Sequence, residues 1–465
     1  MRAASFLPLI LATALAGCDL APDYHPPVVT VTDAFKEAGP WHAADPADAA
    51  PRGDWWTLFR DPTMDRLEAS LDSTNPDLAA ALARYDEARA FANQAKSGLF
   101  PEIDAGGSST VNRESATRPL RGNGQPNQYG ANQLDVEAGY EVDLWGAVRN
   151  RVAAGRAQAQ ASAADVAAVK LSLSAELAAD YLTLRGLDSD ANLLADTVAN
   201  YQKARDLTQT LFQGAVAAGM DVSRAETQLA LARAQLSDIE GRRALIEHAI
   251  AALLGKTPAE LTIPPATPTE ALPDLPAGRP SELLQRRPDI AAAERRVAAA
   301  NAGIGVAKAA FYPSLSLGLL GGEQSTNATL IGLPNSFWTL GPGVSLPLFT
   351  GGRLEAQEDL AYAAFHEAGE AYRSTVLHAF QDVEDNLALI KWLGTEAGDV
   401  DSGVSQSERT LSIALTLYRE GAASYLEVVT AQTTYLQTQL TSIDLRTRRL
   451  QADVGLIRAL GGSWG

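Results

Sequence analysis

Hydrophobic positions along this chain follow two periods, and the places where one gives way to the other divide it. Between Ala147 and Phe212 the apolar residues Val166, Val169, Leu173, Leu177, Tyr181 and Leu184 recur at spacings of three and four, the signature of a packed helical seam. A second stripe runs through Tyr362, Phe365, Tyr372, Val376, Val383, Leu387 and Ile390. Proline confirms both stretches by its absence: none of the 24 falls between Pro126 and Pro258, or after Pro347. A helix over 147–212 would run roughly 100 Å at about 1.5 Å per residue, far longer than a globular helix. Periodicity alone also fits an antiparallel coiled-coil protein.

From Leu134 to Leu144 the period drops to two. Leu134, Val136, Ala138, Tyr140, Val142 and Leu144 are apolar, and Asp135, Glu137, Gly139, Glu141 and Asp143 alternate with them. Such alternation predicts a strand with one face in water. Its length suits a tilted membrane strand, and Tyr140 and Trp145 lie near one end, where aromatic girdles occur. Similar strands are predicted at Trp338–Leu348, Pro101–Val111 and Pro313–Gly321. Four strands leave two open edges, which lipid does not tolerate, so a barrel would have to be shared between chains. Three chains would supply about twelve strands, a lumen lined by Asp135, Glu137, Glu141 and Asp143. One such strand seen alone is better read as part of a soluble four-stranded sheet with one wet face; its duplicated placement between long helices weighs against that reading.

An internal duplication ties the two patterns together. Asn75-Pro76-Asp77-Leu78-Ala79-Ala80-Ala81 matches Arg287-Pro288-Asp289-Ile290-Ala291-Ala292-Ala293, and at the same offset Ala95-Lys96 meets Ala307-Lys308 and Pro101 meets Pro313. Further on, Asp143-Leu144-Trp145 with Arg149 answers Pro347-Leu348-Phe349 with Arg353. The chain therefore divides into a signal peptide 1–17, a lipid-anchored N-terminal extended segment 18–60, a first repeat 61–270 with its hairpin at about 101–144, and a second repeat 271–465 with its hairpin at about 313–348.

The N-terminus reads as a secretory signal: Arg2, an apolar run from Ala3 to Leu15, then Leu15-Ala16-Gly17-Cys18, too short to span a bilayer as a helix. Those four residues resemble the lipobox of bacterial lipoproteins, which implies cleavage before Cys18 and a covalent lipid on its thiol. Cys18 is the only cysteine, so no intrachain disulfide can form. The next residue, Asp19, is of the kind that holds lipoproteins in the inner membrane of enteric bacteria, an address a barrel would override. A net charge of −18 argues against nucleic acid as a partner. Beyond the signal no apolar run reaches membrane-helix length, so any crossing would be made by strands. His25, His42, His248, His366 and His378 have no ligand spacing, and neither a phosphate loop nor a nucleophile motif is present. No enzyme and no cofactor beyond the lipid is expected. Asp382 and Glu384-Asp385 read as a solvated helix face.

Taken together, the lipobox, the duplicated Pro-Asp block, Phe100-Pro101 and Tyr312-Pro313, Asp143-Leu144-Trp145-Gly146 and Pro347-Leu348-Phe349-Thr350-Gly351-Gly352 resemble the TolC-like outer membrane factors of the NodT branch, over nearly the whole mature chain. The resemblance implies a mainly α fold with a membrane β-barrel. Long antiparallel helices would form a periplasmic α-barrel, and four strands per chain would join a trimeric, twelve-stranded barrel. It further implies a lipid-anchored homotrimer in the cell outer membrane, reaching through the periplasm to an adaptor protein and an inner-membrane, RND-type efflux pump.

Residues 418–428, from Tyr418 through Gly421 and Ser424 to Glu427 and Val428, resemble the turn at the family's periplasmic tip. Residues 212–222 form its first-copy partner, with Asp221 equivalent to Glu427. Ala215 stands where the first turn usually has glycine, and Ala423 where some members carry a basic tether. Threefold symmetry would gather Asp221 and Glu427 into a ring of carboxylates that repel one another and act as a gate. Both acids also suit a helix first turn, where anions are favourable. Two other functions share parts of this pattern: an exit channel for type I protein secretion, and a lipid-anchored periplasmic coiled-coil adaptor with a single hairpin and a lipoyl-like domain.

Overall fold

In the computed structural model of the protein, which describes residues 19–29, 35–37, 54–119, 122, 124–266, 286–327 and 329–462, the first helix begins where the sequence supplies a cap. Asp61 accepts hydrogen bonds from the backbone N–H groups of Thr63 and Met64 at 2.8 and 3.3 Å. Pro62 presets the first turn of α1, Pro62–Thr74. Asn75 is extended, as suits a residue before proline, and α2 covers Pro76–Ser97. β1, Glu102–Arg113, and β2, Gln128–Val142, precede α3, Ala147–Gln213, and α4, Gly219–Leu253. The same order returns in α5, Pro288–Ala309, β3, Ser314–Ser325, β4, Ser336–Ser345, α6, Arg353–Arg419, and α7, Tyr425–Ala459. Corresponding helices are equal in length: 22 residues in α2 and α5, 67 in α3 and α6, 35 in α4 and α7. Two helical hairpins and this strand order exclude the single-hairpin adaptor. Among the described residues no helix is long and apolar enough to cross a membrane.

The strands lie where period two placed them, with different ends. β2 begins at Gln128 because its polar first half pairs along β1, from Arg113 opposite Gln128 to Glu102 opposite Gly139. It stops at Val142, which leaves Asp143 and Leu144 in the turn to α3. β4 stops at Ser345, before Pro347, which has no N–H to give a ladder. The sheet is antiparallel in the order β1-β2-β3-β4, so β1 and β4 are its edges. Its register sorts most side chains by face. One face carries Ile103, Val136, Leu317, Leu319, Leu340 and Val344, with Glu323 toward one end, and the other carries the acids of β2 among glycines and serines, with Leu320 opposite Glu137 and Phe337 opposite Gly322. Trp338 and Val344 of the apolar face are 76% and 71% exposed, far more than a core-facing strand would leave in water.

The chain forms two compact units. The first comprises residues 1–28, 84–163 and 292–373, and holds the sheet; the second comprises 29–83, 164–291 and 374–465. In the first unit Trp145 stacks on Tyr312 at 4.7 Å and donates its indole N–H to the Pro313 carbonyl at 2.9 Å, joining the end of β2 to the start of β3. The segment from Asp19 is tied down there too. Asn150 donates to Asp19 at 2.8 Å, Asn301 donates to the Pro22 carbonyl at 2.8 Å, and Tyr24 donates to Glu294 at 2.6 Å.

In the second unit the stripes foreseen on α3 and α6 are buried: Leu177, Tyr181, Leu184, Val383 and Leu387 share one core with Met64 and Leu71 of α1. The span 18–60, expected as an extended segment, instead ends in a 3-10 turn, Trp55–Phe59, whose Trp55, Trp56 and Phe59 enter that core. The duplication reaches individual bonds. Asn75 donates to the Leu253 carbonyl at 2.7 Å, and its counterpart Arg287 donates to the Ala459 carbonyl at 3.1 Å, so each ties the end of a return helix to the start of its own repeat. Gly255 and Gly461, both at positive φ, lie beside the backbone of Thr74 and Arg286 respectively; a Cβ would collide at Gly255 and be crowded at Gly461. The acids expected on a solvated face are engaged. Asp382 pairs with Arg287 at 3.0 Å, and Glu384 accepts from the N–H groups of Lys36 and Glu37 at 2.6 and 2.9 Å. Asp385 alone stays exposed.

Candidate functional site

The residues singled out in the sequence fall into two groups: the polar face of the sheet, in the first unit, and the paired helical turns, in the second. On the sheet, Asp135, Glu137 and Glu141 share one face of β2. Asp135 has Gly106 on one side and Gly322 on the other, and accepts a hydrogen bond from Gln133 at 2.9 Å. The glycines leave that carboxylate room that side chains would fill. Asp143 does not stand in this row. It accepts from the N–H groups of Val148 and Arg149 at 3.0 and 2.9 Å and pairs with the Arg149 guanidinium at 3.1 Å, so it holds the first turn of α3.

The register adds two acids that sequence reasoning missed, Glu102 and Asp104, with Asp104 directly opposite Glu137. Like charges at that spacing cost stability in a sheet, and cations gathering on this face would relieve the cost. The signal was there in the acids that alternate with Ile103 and Ala105. It was weak because β1 is built largely of glycine, serine and threonine.

The turns are superposable in detail. In one, Val216 N–H bonds to the Leu211 carbonyl at 2.9 Å; in the other, Ala422 N–H bonds to the Leu417 carbonyl at 2.8 Å. Each closes its helix with a left-handed residue. That residue is Gly421 at φ 74°, and Ala215 at φ 57°. The substitution seen in the sequence has thus not moved the special conformation to Gly214; alanine adopts it at a steric cost. We expect Ala215→Gly to stabilise this turn by about 0.5–1 kcal/mol. The check is amide hydrogen exchange at Val216 and Ala217, which should slow severalfold; unchanged exchange would show the turn is unstrained.

Asp221 and Glu427 occupy the third positions of α4 and α7, one turn from the helix ends. Neither Ala218 nor Ser424, the residues preceding those helices, makes a side-chain capping bond, so an acid in the first turn is the main compensation for the helix dipole. Asp221 approaches Arg224 at 3.5 Å, whereas Glu427 is exposed. Tyr418 packs against Tyr425 with ring centroids 5.4 Å apart, bracing the second turn around Gly421 and Ser424. The geometry accommodates both readings of the acids, since a first-turn carboxylate still presents its charge outward. Cys18, the expected lipid site, lies outside the described residues; the bonds of Asp19 begin one residue after it.

A family model described as outer membrane efflux protein matches residues 69–256 and 279–462, which are the two copies. The chain is 35% identical over 436 residues to the pyoverdine export outer membrane protein OpmQ of Pseudomonas putida, with 90% of each chain covered. It is 30% identical over 472 residues to the cation efflux system protein CusC of Escherichia coli, with 100% of each covered. The crystal structure of a membrane protein from Pseudomonas aeruginosa matches with a TM-score of 0.88 at 29% identity, covering 96% of this chain and 98% of that one.

Proposed function

The chain belongs to the outer membrane efflux protein family, and from that premise we propose that three copies form the passive exit duct of a tripartite efflux system. An inner-membrane pump and a periplasmic adaptor deliver substrate to it. The observation that carries this reading is the four-stranded sheet with two free edges and one exposed apolar face. A backbone edge in lipid must be paired, and closing the ring with further copies is the arrangement that pairs every edge. The apolar face then meets lipid. The face bearing Glu102, Asp104, Asp135, Glu137 and Glu141 then lines the lumen and favours cations. One relative is named for pyoverdine export and another for cation efflux, which fits a conduit that conducts whatever its pump supplies.

In the same reading Asp221 and Glu427 ring the periplasmic tip, where their mutual repulsion strains a closed pore and opening relieves it. Crosslinking of the detergent-purified protein should give trimers, and planar bilayers should show a cation-selective pore. Replacing Asp221 with Asn and Glu427 with Gln together should lower that selectivity and change how readily the pore opens. A folded monomer would overturn the shared barrel. Unchanged selectivity with a melting temperature lowered by the equivalent of about 0.5–2 kcal/mol would reduce both acids to helix-end stabilisers.

Cys18 carries the lipid in this scheme. Mass spectrometry of the mature N-terminus should find an acylated Cys18, and Cys18→Ala should leave the trimer folded, because a barrel holds a membrane more firmly than one acyl chain does. An unmodified terminus would remove the anchor.

A further inference from the structure

The duplication calls for a contact that one chain alone cannot make. Within the first unit the two repeats meet where Trp145, just past β2, stacks on Tyr312, just before β3, at 4.7 Å. The matches of Asp143-Leu144-Trp145 with Pro347-Leu348-Phe349, and of Pro101 with Pro313, give each ring a counterpart. Trp145 answers to Phe349, just past β4, and Tyr312 to Phe100, just before β1. Since β1 and β4 are the two edges of the sheet, these counterparts stand at opposite edges. Phe349 is 92% exposed and Phe100 63%, whereas Trp145 is half-buried. The helices show the same asymmetry. α5 is covered by α3, where Gly305 sits beside Asn150, by α6, where Lys308 lies over the Tyr362 ring at 5.4 Å, and by the segment from Asp19. Only Arg295 and Arg296 of α5 are exposed. α2, its equal in length, packs on α3 through Ala92 and Gly155 and leaves most of its other residues open, Phe91 among them. Aromatic rings left open beside unpaired sheet edges mark an interface.

We infer that Phe349 of one copy stacks on the partner's Phe100, repeating between chains the junction that Trp145 and Tyr312 make within one. The inference rests on the shared barrel proposed above, and it fixes the register of that barrel. Trp145 and Tyr312 lie on the line of the β2–β3 ladder, in which Tyr140 stands opposite Leu317 and Val142 opposite Leu315. Drawn from Phe349 and the partner's Phe100, the same line sets Val344 opposite the partner's Ala105 and Trp338 opposite the partner's Val111. Every residue of β4, Ser336–Ser345, then falls along β1, between Arg113 and Asp104, and the apolar side chains keep to one face. The tilt of the strands agrees as well. Straight across the sheet, Ile103 stands level with Leu340, whereas the inferred ladder sets Leu340 against the partner's Ser109, six residues further on. Six residues at about 3.3 Å each, over four strands at about 4.8 Å, tilt the strands by roughly 45°. Membrane barrels tilt by roughly 35–45°.

The experiment uses the full-length protein in detergent, carrying Cys18→Ala so that no other thiol is present. Val344→Cys combined with Ala105→Cys places two thiols directly opposite each other, at a spacing that suits a disulfide. On oxidation this pair should link roughly tenfold more chain into covalent trimers than Val344→Cys combined with either Ile103→Cys or Gly107→Cys. Phe349→Ala should lower by several degrees the temperature at which the trimer dissociates in SDS. Phe349→Trp should raise it, because the indole gains the N–H that Trp145 gives to the Pro313 carbonyl and can offer it to the partner's Pro101. Preferred linkage through Ile103→Cys or Gly107→Cys would overturn the register. A trimer indifferent to both changes at Phe349 would leave that ring facing lipid and overturn the stack. In either case the exit duct stands, whereas a folded monomer that none of the pairs links would remove the shared barrel itself.

Discussion

Replacing Asp188 with alanine should destabilise the second unit by about 3–5 kcal/mol, the usual cost of leaving buried charges without their partner. Asp188 is 1% exposed. One of its oxygens accepts from Arg243 at 2.5 Å, and the other from Arg185 at 2.7 Å and from the N–H of Ala266 at 3.1 Å. The two guanidinium groups continue the network outward. Arg185 donates to the Pro264 carbonyl at 2.9 Å and Arg243 to the Ile263 carbonyl at 2.6 Å, while Glu247 accepts from the N–H of Ile263 at 2.6 Å. A single carboxylate thus fastens α3, α4 and the segment that follows α4. Its loss should lower the melting temperature and expose residues 261–266 to protease, which limited proteolysis with mass spectrometry will locate. A variant that melts like the wild type and resists cleavage there would show that the two arginines find other partners.

Glu68→Gln should act in the opposite direction. The Glu68 side chain is buried on α1, facing Ser174 and Lys170 of α3, with Asp72 and Asp54 also near it. Burial pushes its carboxyl up to about 8, Asp72 and Asp54 add to the rise, and Ser174 and Lys170 oppose it. Unfolded, the group returns to its ordinary value of 4.5. Between these values the folded chain holds a proton that the unfolded chain releases, so stability falls as pH rises through the window and levels off above it. Glutamine does not titrate. Its variant should match the wild type near the bottom of the window and exceed it by about 3 kcal/mol at pH 7. Asp453, raised to about 7 by burial, gives both proteins a similar slope, so the informative quantity is the difference between their melting curves over pH 4–9. Parallel curves would mean that Glu68 is ionised in the fold.

The long helices were legible because their signal is redundant: proline is absent over each span, and one apolar stripe repeats for many turns. The membrane-type strand at Leu134 was legible because charge alternates with apolar side chains there. What stayed hidden was carried by contacts between distant parts of the chain. Trp55, Trp56 and Phe59 have no periodicity of their own and enter the core only because α1 places them beside α3. Asp382 and Glu384 look solvated on their own helix, and acquire partners only from Arg287 and from Lys36 and Glu37. Asp143 fitted the alternation perfectly and still left the strand, since the turn to α3 required an acceptor for its first amides. In the turns, the sequence pattern marked Ala215 as unusual, while only the backbone angle revealed that it takes the conformation of Gly421.

The equal lengths of α3 and α6, and of α4 and α7, have a consequence for how such a chain can change. One residue added to α3 would turn everything beyond it by about 100° and advance it by about 1.5 Å, swinging its apolar stripe out of register with α4. Adding about seven would bring the stripe back to within roughly 20°. It would still carry the return helix too far along for Leu253 to reach Asn75, or for Gly255 to sit against Thr74. Each hairpin therefore behaves as a pair of calipers whose jaws close at Asn75 and Arg287. Length can be gained or lost only by equal numbers of whole turns in the outgoing and returning arms, and insertions in one arm alone should be purged even where every inserted residue is a good helix former.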